Sequence, residues 1–191
     1  MDFTEDWFSH NIPGITEALK HIEKPRRILE IGSFEGRSSC FWLQIILDDD
    51  GFLTCIDDFG GSVEHSEIDF EAVKKRFYGN TRRVCKSNQV VNMMEMKSIL
   101  GLAHLVVQKQ QYDLIYIDGS HTSPDTLTDA VMAWSLLKNG GLMIFDDYLW
   151  EMHTAPFQSP KWAIDTFTTM FCRQLKVVLH GYQVGVIKTS V

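Results

Sequence analysis

Short apolar runs that suit β-strands alternate with segments of helical spacing from residue 27 to residue 188, and several of the runs end in an acidic residue. Arg27–Ile31 (RILEI), Phe52–Asp57 (FLTCID), Val90–Glu95, Tyr112–Asp118 (YDLIYID) and Leu142–Asp146 read as strands. Ser38–Leu47, Ile68–Phe77, Ser98–Val107, Thr126–Lys138 and Ala163–Phe171 read as the helices between and after them. Their expected inward faces include Phe70, Val73 and Phe77; Ile99, Leu102, Ala103 and Val106; Leu127, Ala130, Val131, Trp134 and Leu137; and Ala163, Ile164, Phe167, Met170 and Phe171. Asn139-Gly140-Gly141 is expected to stop the fourth helix, because these residues accept positive φ. Leu175–His180 and Tyr182–Lys188 are joined tightly enough at Gly181 to be antiparallel, and a helical segment near Ile15–Ile22 precedes the alternation. Alternation of this kind predicts an α/β, doubly wound, mostly parallel sheet with right-handed crossovers. Ligands of such sheets sit beyond the carboxyl ends of the strands, where Glu30 to Gly36, Asp57, Asp118 and Asp146 all fall.

A chain of 191 residues is long enough for one full core, so a single domain over 1–191 is expected, with residues 1–25 as an N-terminal helical extension. The net charge of −7 argues against a nucleic-acid surface, which needs clustered Lys and Arg. The one basic cluster, Lys74-Lys75-Arg76 with Arg82-Arg83, is read as a solvated helix face. Cys40, Cys55, Cys85 and Cys172 show neither Cys-x-x-Cys nor zinc spacing, as expected of reduced cysteines. The start, MDFTEDWF, lacks a signal-type apolar core, and no stretch reaches membrane-spanning length. A soluble, cytoplasmic protein is expected.

The first strand runs through Glu30-Ile31-Gly32-Ser33-Phe34-Glu35-Gly36 into a helix. A dinucleotide fingerprint would carry a middle glycine so that backbone can approach a pyrophosphate. Here Ser33, Phe34 and the acidic Glu35 stand between the glycines, which suits a cofactor without phosphates. Asp57 ends the second strand 21 residues after Gly36, at the position from which an acidic residue accepts ribose hydroxyls; Asp58 is the neighbouring alternative. Asp118, Asp146 and Asp147 bring three carboxylates to the same edge, and carboxylates repel unless something cationic holds them together. Hard oxygen donors without cysteine select Mg²⁺, Mn²⁺ or Ca²⁺ over zinc. A metal-free arrangement, with Asp146 capping a turn and Asp147 solvated, is the alternative.

The E-x-G-x-x-x-G turn resembles motif I of class I S-adenosylmethionine-dependent methyltransferases. The run YDLIYIDGSH…LLKNGGLMIFDDY resembles the macrocin-type, metal-dependent small-molecule O-methyltransferases, with the likeness covering roughly residues 26–188. It implies a Rossmann-like, mostly parallel seven-stranded sheet with an antiparallel last strand and helices on both faces. It further implies S-adenosylmethionine held by Glu30, Gly32, Ser33, Gly36, Asp57 and Asp118, with the purine near Met96, Lys97 and Ser98. Asp118, Asp146 and Asp147 would hold a divalent cation, Mg²⁺ first among them. Catechol-type relatives place a catalytic lysine at the offset of His121, which makes His121 the candidate general base beside Asp118, with a metal ligand or a plain helix start as its rival roles. Several sugar methyltransferases have Asp where this chain has Ser120, so a second carboxylate base is absent.

The stretch 147–161, with Tyr148, Trp150, His153 and Phe157, has the composition of an aromatic substrate lid, or of a packing or dimer contact. Phe59-Gly60-Gly61 through His65 forms a second loop at the same edge. The expected activity is O-methylation of a small sugar, polyol or catechol-like molecule. A metal-independent N- or C-methyltransferase and a non-catalytic cofactor-binding domain are the alternatives. The expected partner is a small molecule, with neither nucleic acid nor membrane; a homo-oligomer is compatible with this.

Overall fold

The structure, a computed structural model, describes residues 1–61, 68–150 and 155–190. His65 and His153 therefore lie outside the described residues. After a 3₁₀ turn at Ser9–Asn11 come α1 (Ile12–Leu19), β1 (Arg27–Ile31), α2 (Arg37–Phe41), β2 (Phe52–Asp57), α3 (Phe70–Val84), β3 (Val90–Glu95) and α4 (Ser98–Val107). The second half holds β4 (Tyr112–Ile117), α5 (Ser123–Leu136), β5 (Leu137–Phe145), α6 (Pro160–Met170), β6 (Leu175–His180) and β7 (Val184–Lys188).

The seven strands form one sheet in the order β3-β2-β1-β4-β5-β7-β6. β1 to β5 pair in parallel, and β7 lies antiparallel between β5 and β6. β1 and β4 are buried almost throughout, so their sequences read as apolar runs without alternation. One face is covered by α1, by α2 with the turn that follows it, and by α3, through Ile15, Ala18, Trp42, Val73 and Phe77. The other is covered by α4, α5 and α6, through Leu102, Leu105, Ala133, Trp134, Ile164 and Phe167. Helix starts are fixed locally: Asp69 accepts from the Glu71 and Ala72 amides, and Thr122 caps α5 with Pro124 in its first turn.

Several expected helix faces shift. Val131 and Met170 are exposed, as are Ile99 and Val106, because the stripe actually covered on α4, α5 and α6 is narrower than the apolar stripe in the sequence. α5 ends at Leu136, so Leu137 and Asn139-Gly140-Gly141 belong to β5, which makes an irregular register shift against β4 near Tyr112. The expected helix Ser38–Leu47 is α2 followed by one π-helical turn, Trp42–Ile46. The basic cluster is not a plain solvated face either: Arg76 pairs with buried Glu35 and with Asp2, and Lys74 with Glu95. Among the described residues, no helix is long and apolar enough to cross a membrane.

The chain leaves β1 toward one edge of the sheet and returns to β4 on its other side, so the crevice lies where β1 and β4 adjoin. Register pairs Ile31 with Ile56 and Ile117, and Ile117 with Phe145. The next residue on each strand, Gly32, Asp57, Asp118 and Asp146, therefore stands in a single row. At Gly32 (φ 82°) a Cβ would lie 1.9 Å from the Asp118 carbonyl oxygen, so only glycine lets the two backbones meet. We predict that Gly32→Ala lowers unfolding free energy by on the order of 3 kcal/mol in urea titrations, from positive φ and overpacking together. A loss below about 1 kcal/mol would contradict the close approach as described.

Candidate functional site

A cavity of about 750 Å³ opens above this row of strand ends. Its walls include Gly32, Ser33, Asp57, Lys97, Ser98, Asp118, His121, Asp146 and Asp147, so most residues singled out from the sequence converge on one space. Glu30 and Gly36 do not reach it. Glu30 lies fully buried beneath the turn, where it accepts hydrogen bonds from Ser33 Oγ (2.7 Å), Trp42 Nε1 (2.8 Å), Ser39 Oγ and Cys55 Sγ. It shapes the turn from below; burial pushes its pKa up while the hydroxyl and indole donors pull it back. Gly36, at φ 78°, begins α2 and packs against Phe77.

Asp57 binds the turn from the side. Its Oδ2 accepts the Ser33 and Phe34 amides at 2.8 and 3.0 Å, and its Oδ1 accepts the Phe59 amide at 2.8 Å. The turn amides that would face a pyrophosphate in a dinucleotide fold are thus already taken by a carboxylate. Asp58, more exposed, also lines the cavity and accepts only the Gly60 amide among the hydrogen bonds seen. Phe34, Phe59 and Asp147 all have positive φ, and all three line the cavity, so backbone strain is concentrated here.

The acidic pair after β5 divides. Asp146 is buried, and its oxygens are occupied by Asn11 Nδ2 (2.6 Å), the Tyr116 hydroxyl and the Asp147 amide (2.9 Å). Asp147 turns outward to His121 Nε2 at 2.9 Å and accepts the Tyr182 hydroxyl at 2.8 Å. Asp118, His121 and Asp147 each bring one ligand atom within 4.8 Å of the others. Asp118, His121 and Asp147 are thus the group whose ligand atoms the described residues bring together, while Asp146, expected beside Asp118 and Asp147, lines the same cavity with three protein donors on its carboxylate. Trp150 lies against His121 with ring centroids 4.1 Å apart. Tyr148 instead points into the core and bonds Asp165, and Phe157 is solvent-exposed, so of these three aromatics only Trp150 lines the cavity.

Two contributions escaped the sequence. The segment ahead of α1 roofs the cavity with Glu5, Asp6, Trp7, Phe8 and His10. It is fastened by the Thr4 amide and hydroxyl to Glu35 (2.6 and 2.8 Å), by Trp7 against Phe34 (4.9 Å) and by Asn11 on Asp146. The other is Asp129 on α5, buried yet part of the cavity wall. Its one sequence signal was an acidic residue at i, i+4, i+7 spacing with the buried Ala133 and Leu136.

A family model described as a methyltransferase domain matches residues 29–148. A comparison with curated proteins returned no match. Among solved structures, the chain resembles the O-methyltransferase TomG from Streptomyces achromogenes, involved in tomaymycin synthesis and bound to S-adenosylmethionine. The TM-score is 0.68 at 17% identity, covering 99% of this chain and 83% of that one. It also resembles an O-methyltransferase from Bacillus cereus in complex with S-adenosylhomocysteine, with a TM-score of 0.66 at 17% identity, over 96% of this chain and 82% of the other.

Burial, then repulsion from Asp146 and Asp147, raises the Asp118 pKa well above the usual carboxylate range. Burial and Asp147 push Asp146 up in the same way, to about 7. A carboxyl whose folded pKa exceeds its unfolded value near 4 holds extra protons in the folded state, so its contribution to stability falls as pH rises between the two. In metal-free buffer, Asp118→Asn should therefore gain stability relative to the parent as pH is raised from about 4 to about 7. Paired thermal melts across that range read the difference; a gain that shrinks with pH would contradict the repulsion.

Proposed function

The chain belongs to the methyltransferase-domain family, and from that premise we propose that it is an S-adenosylmethionine-dependent, divalent-cation-assisted O-methyltransferase of a small hydroxylated molecule. The observation that carries this reading is the Asp118–His121–Asp147 group, set beside the glycine turn at one cavity.

Support for the cofactor is chemical. The turn amides are already held by Asp57, and Glu35, Asp57, Asp58 and Asp118 line the walls. Such a surface repels phosphates and suits the sulfonium and ammonium groups of S-adenosylmethionine. Gly32 and Ser33 would receive its methionine portion, with Glu30 and Gly36 fixing the turn from outside. Asp57 or Asp58 would take the ribose, and Lys97 and Ser98 stand where the purine would lie. When bound, the cofactor supplies a sulfonium-activated methyl group for in-line displacement by the acceptor oxygen.

Asp118, His121 and Asp147 would hold the cation. Two carboxylates favour Mg²⁺ or Mn²⁺, and no cysteine stands in the group to favour a softer ion. Bound there, the cation supplies positive charge that favours the ionised form of an acceptor hydroxyl. Asp146 acts indirectly, holding the Asp147 amide and, through Asn11, the roof segment. A cavity of about 750 Å³ that must also admit the cofactor supports a small acceptor. That both structural relatives are O-methyltransferases supports oxygen as the methylated atom.

One contact favours a second reading. His121 Nε2 at 2.9 Å from Asp147 is also the arrangement of an imidazole oriented by a carboxylate, which would remove the hydroxyl proton without a metal. Calorimetry with S-adenosylhomocysteine should show binding, and its absence would overturn the cofactor. Turnover on a panel of catechols and sugar alcohols should be lost with chelator and restored by Mg²⁺ or Mn²⁺; chelator-insensitive turnover would select the His–Asp reading. His121→Ala should slow turnover by roughly 10²–10⁴-fold in either case.

A further inference from the structure

Among the described residues, most of the buried and half-buried carboxylates near the cavity have an evident protein task. Glu30 and Asp57 hold the glycine turn, Glu35 the roof, and Asp146 the Asn11 and Asp147 groups. Asp129 does not fit this pattern. It is 2% exposed and lines the cavity, and burial raises its pKa while the nearby Ser98 hydroxyl draws it back. Its Oδ2 would lie 3.9 Å from a Cβ built on Gly119, which places the carboxylate next to the turn that follows β4.

The surroundings define a recess of particular shape. α4 and α5 lie on the same face of the sheet. Ile56, Met96 and Ile99 contribute apolar walls, while Ser98, Thr128 and Asp129 contribute polar atoms. Apolar faces with one acceptor-only group suit a flat heteroaromatic ring carrying an exocyclic amine at its edge. The recess lies on the face that carries α4 and α5, between Ser98 after β3 and Gly119 after β4, beside the end of β2 where the ribose is placed.

We infer that Asp129 reads the purine of the cofactor, accepting a hydrogen bond from its 6-amino group and so selecting adenine over a 6-oxo purine. The inference rests on the S-adenosylmethionine reading of this cavity. A carboxylate accepts and cannot donate, so it pairs with an amine and is repelled by a carbonyl oxygen at the same position. Buried polar groups left facing the wrong partner are what give such sites their selectivity. Burial pushes the Asp129 pKa up to about 6, so the carboxyl is ionised under mildly alkaline conditions.

The test compares S-adenosylhomocysteine with its deaminated analogue, S-inosylhomocysteine, by calorimetry at pH 8. The parent protein should prefer the adenosyl ligand by on the order of 10- to 100-fold, the range of a hydrogen bond to a charged group. Asp129→Ala should weaken the adenosyl ligand by a similar factor and bring the ratio near one. Asp129→Asn, nearly isosteric, should compress the ratio as well, since its amide can also donate to the 6-oxo group. Val131→Ala, on the exposed side of α5, should leave the ratio intact. A ratio unchanged in both Asp129 variants would make the residue a support for α4 alone and overturn the inference, as would a parent protein without preference. Binding of neither ligand to the parent would instead defeat the cofactor reading beneath it.

Discussion

The contact on which the site depends is between two pieces of backbone. At the ends of β1 and β4 the Asp118 amide donates to the Ile31 carbonyl at 2.8 Å, and Gly32 turns away with no side chain to keep the strands apart. The Gly32 amide bonds Ile56 on the other side, so three parallel strands end at the same level. Every acidic residue that follows inherits its position from that shared level. The crevice of a doubly wound sheet is a consequence of chain reversal at β1 and β4, and here its floor is set by a glycine.

Carboxylates gathered at such an edge would destabilise the fold if left unpaired. The protein resolves this residue by residue. Glu30, Glu35, Asp57 and Asp146 are surrounded by amide, hydroxyl, indole or guanidinium donors and serve as internal braces. Asp118 and Asp147 face the cavity with fewer protein donors, Asp147 meeting His121 and the Tyr182 hydroxyl. What distinguishes the two groups is the supply of donors from neighbouring elements, and not the residue type.

Much of the fold was legible because central parallel strands read as unbroken apolar runs, as in RILEI and YDLIYI. The row of strand-end residues followed from that alone. Helix faces were less legible, because Val131 and Met170 are apolar residues that nothing covers, and a periodicity argument counts them with the core. The division between Asp146 and Asp147 was less legible for a similar reason. The pattern Asp-Asp does not say which carboxylate meets Asn11 and Tyr116, residues 135 and 30 positions away. Asp129 passed unnoticed because one acidic residue on an amphipathic helix is ordinarily assigned to its wet side.

The roof over the cavity is made from contacts that span the chain. Thr4 reaches Glu35, Asp2 reaches Asn80, and Asn11 reaches Asp146, across 31, 78 and 135 positions. The last of these closes a larger loop than any strand pairing beneath it, the longest of which, β1 with β4, spans 86 positions, and loop closure becomes entropically costlier with length. Asn11 thereby ties the roof to the sheet's far half: its side-chain amide has Asp146 as a partner only when β5 holds that carboxylate in the row of strand ends.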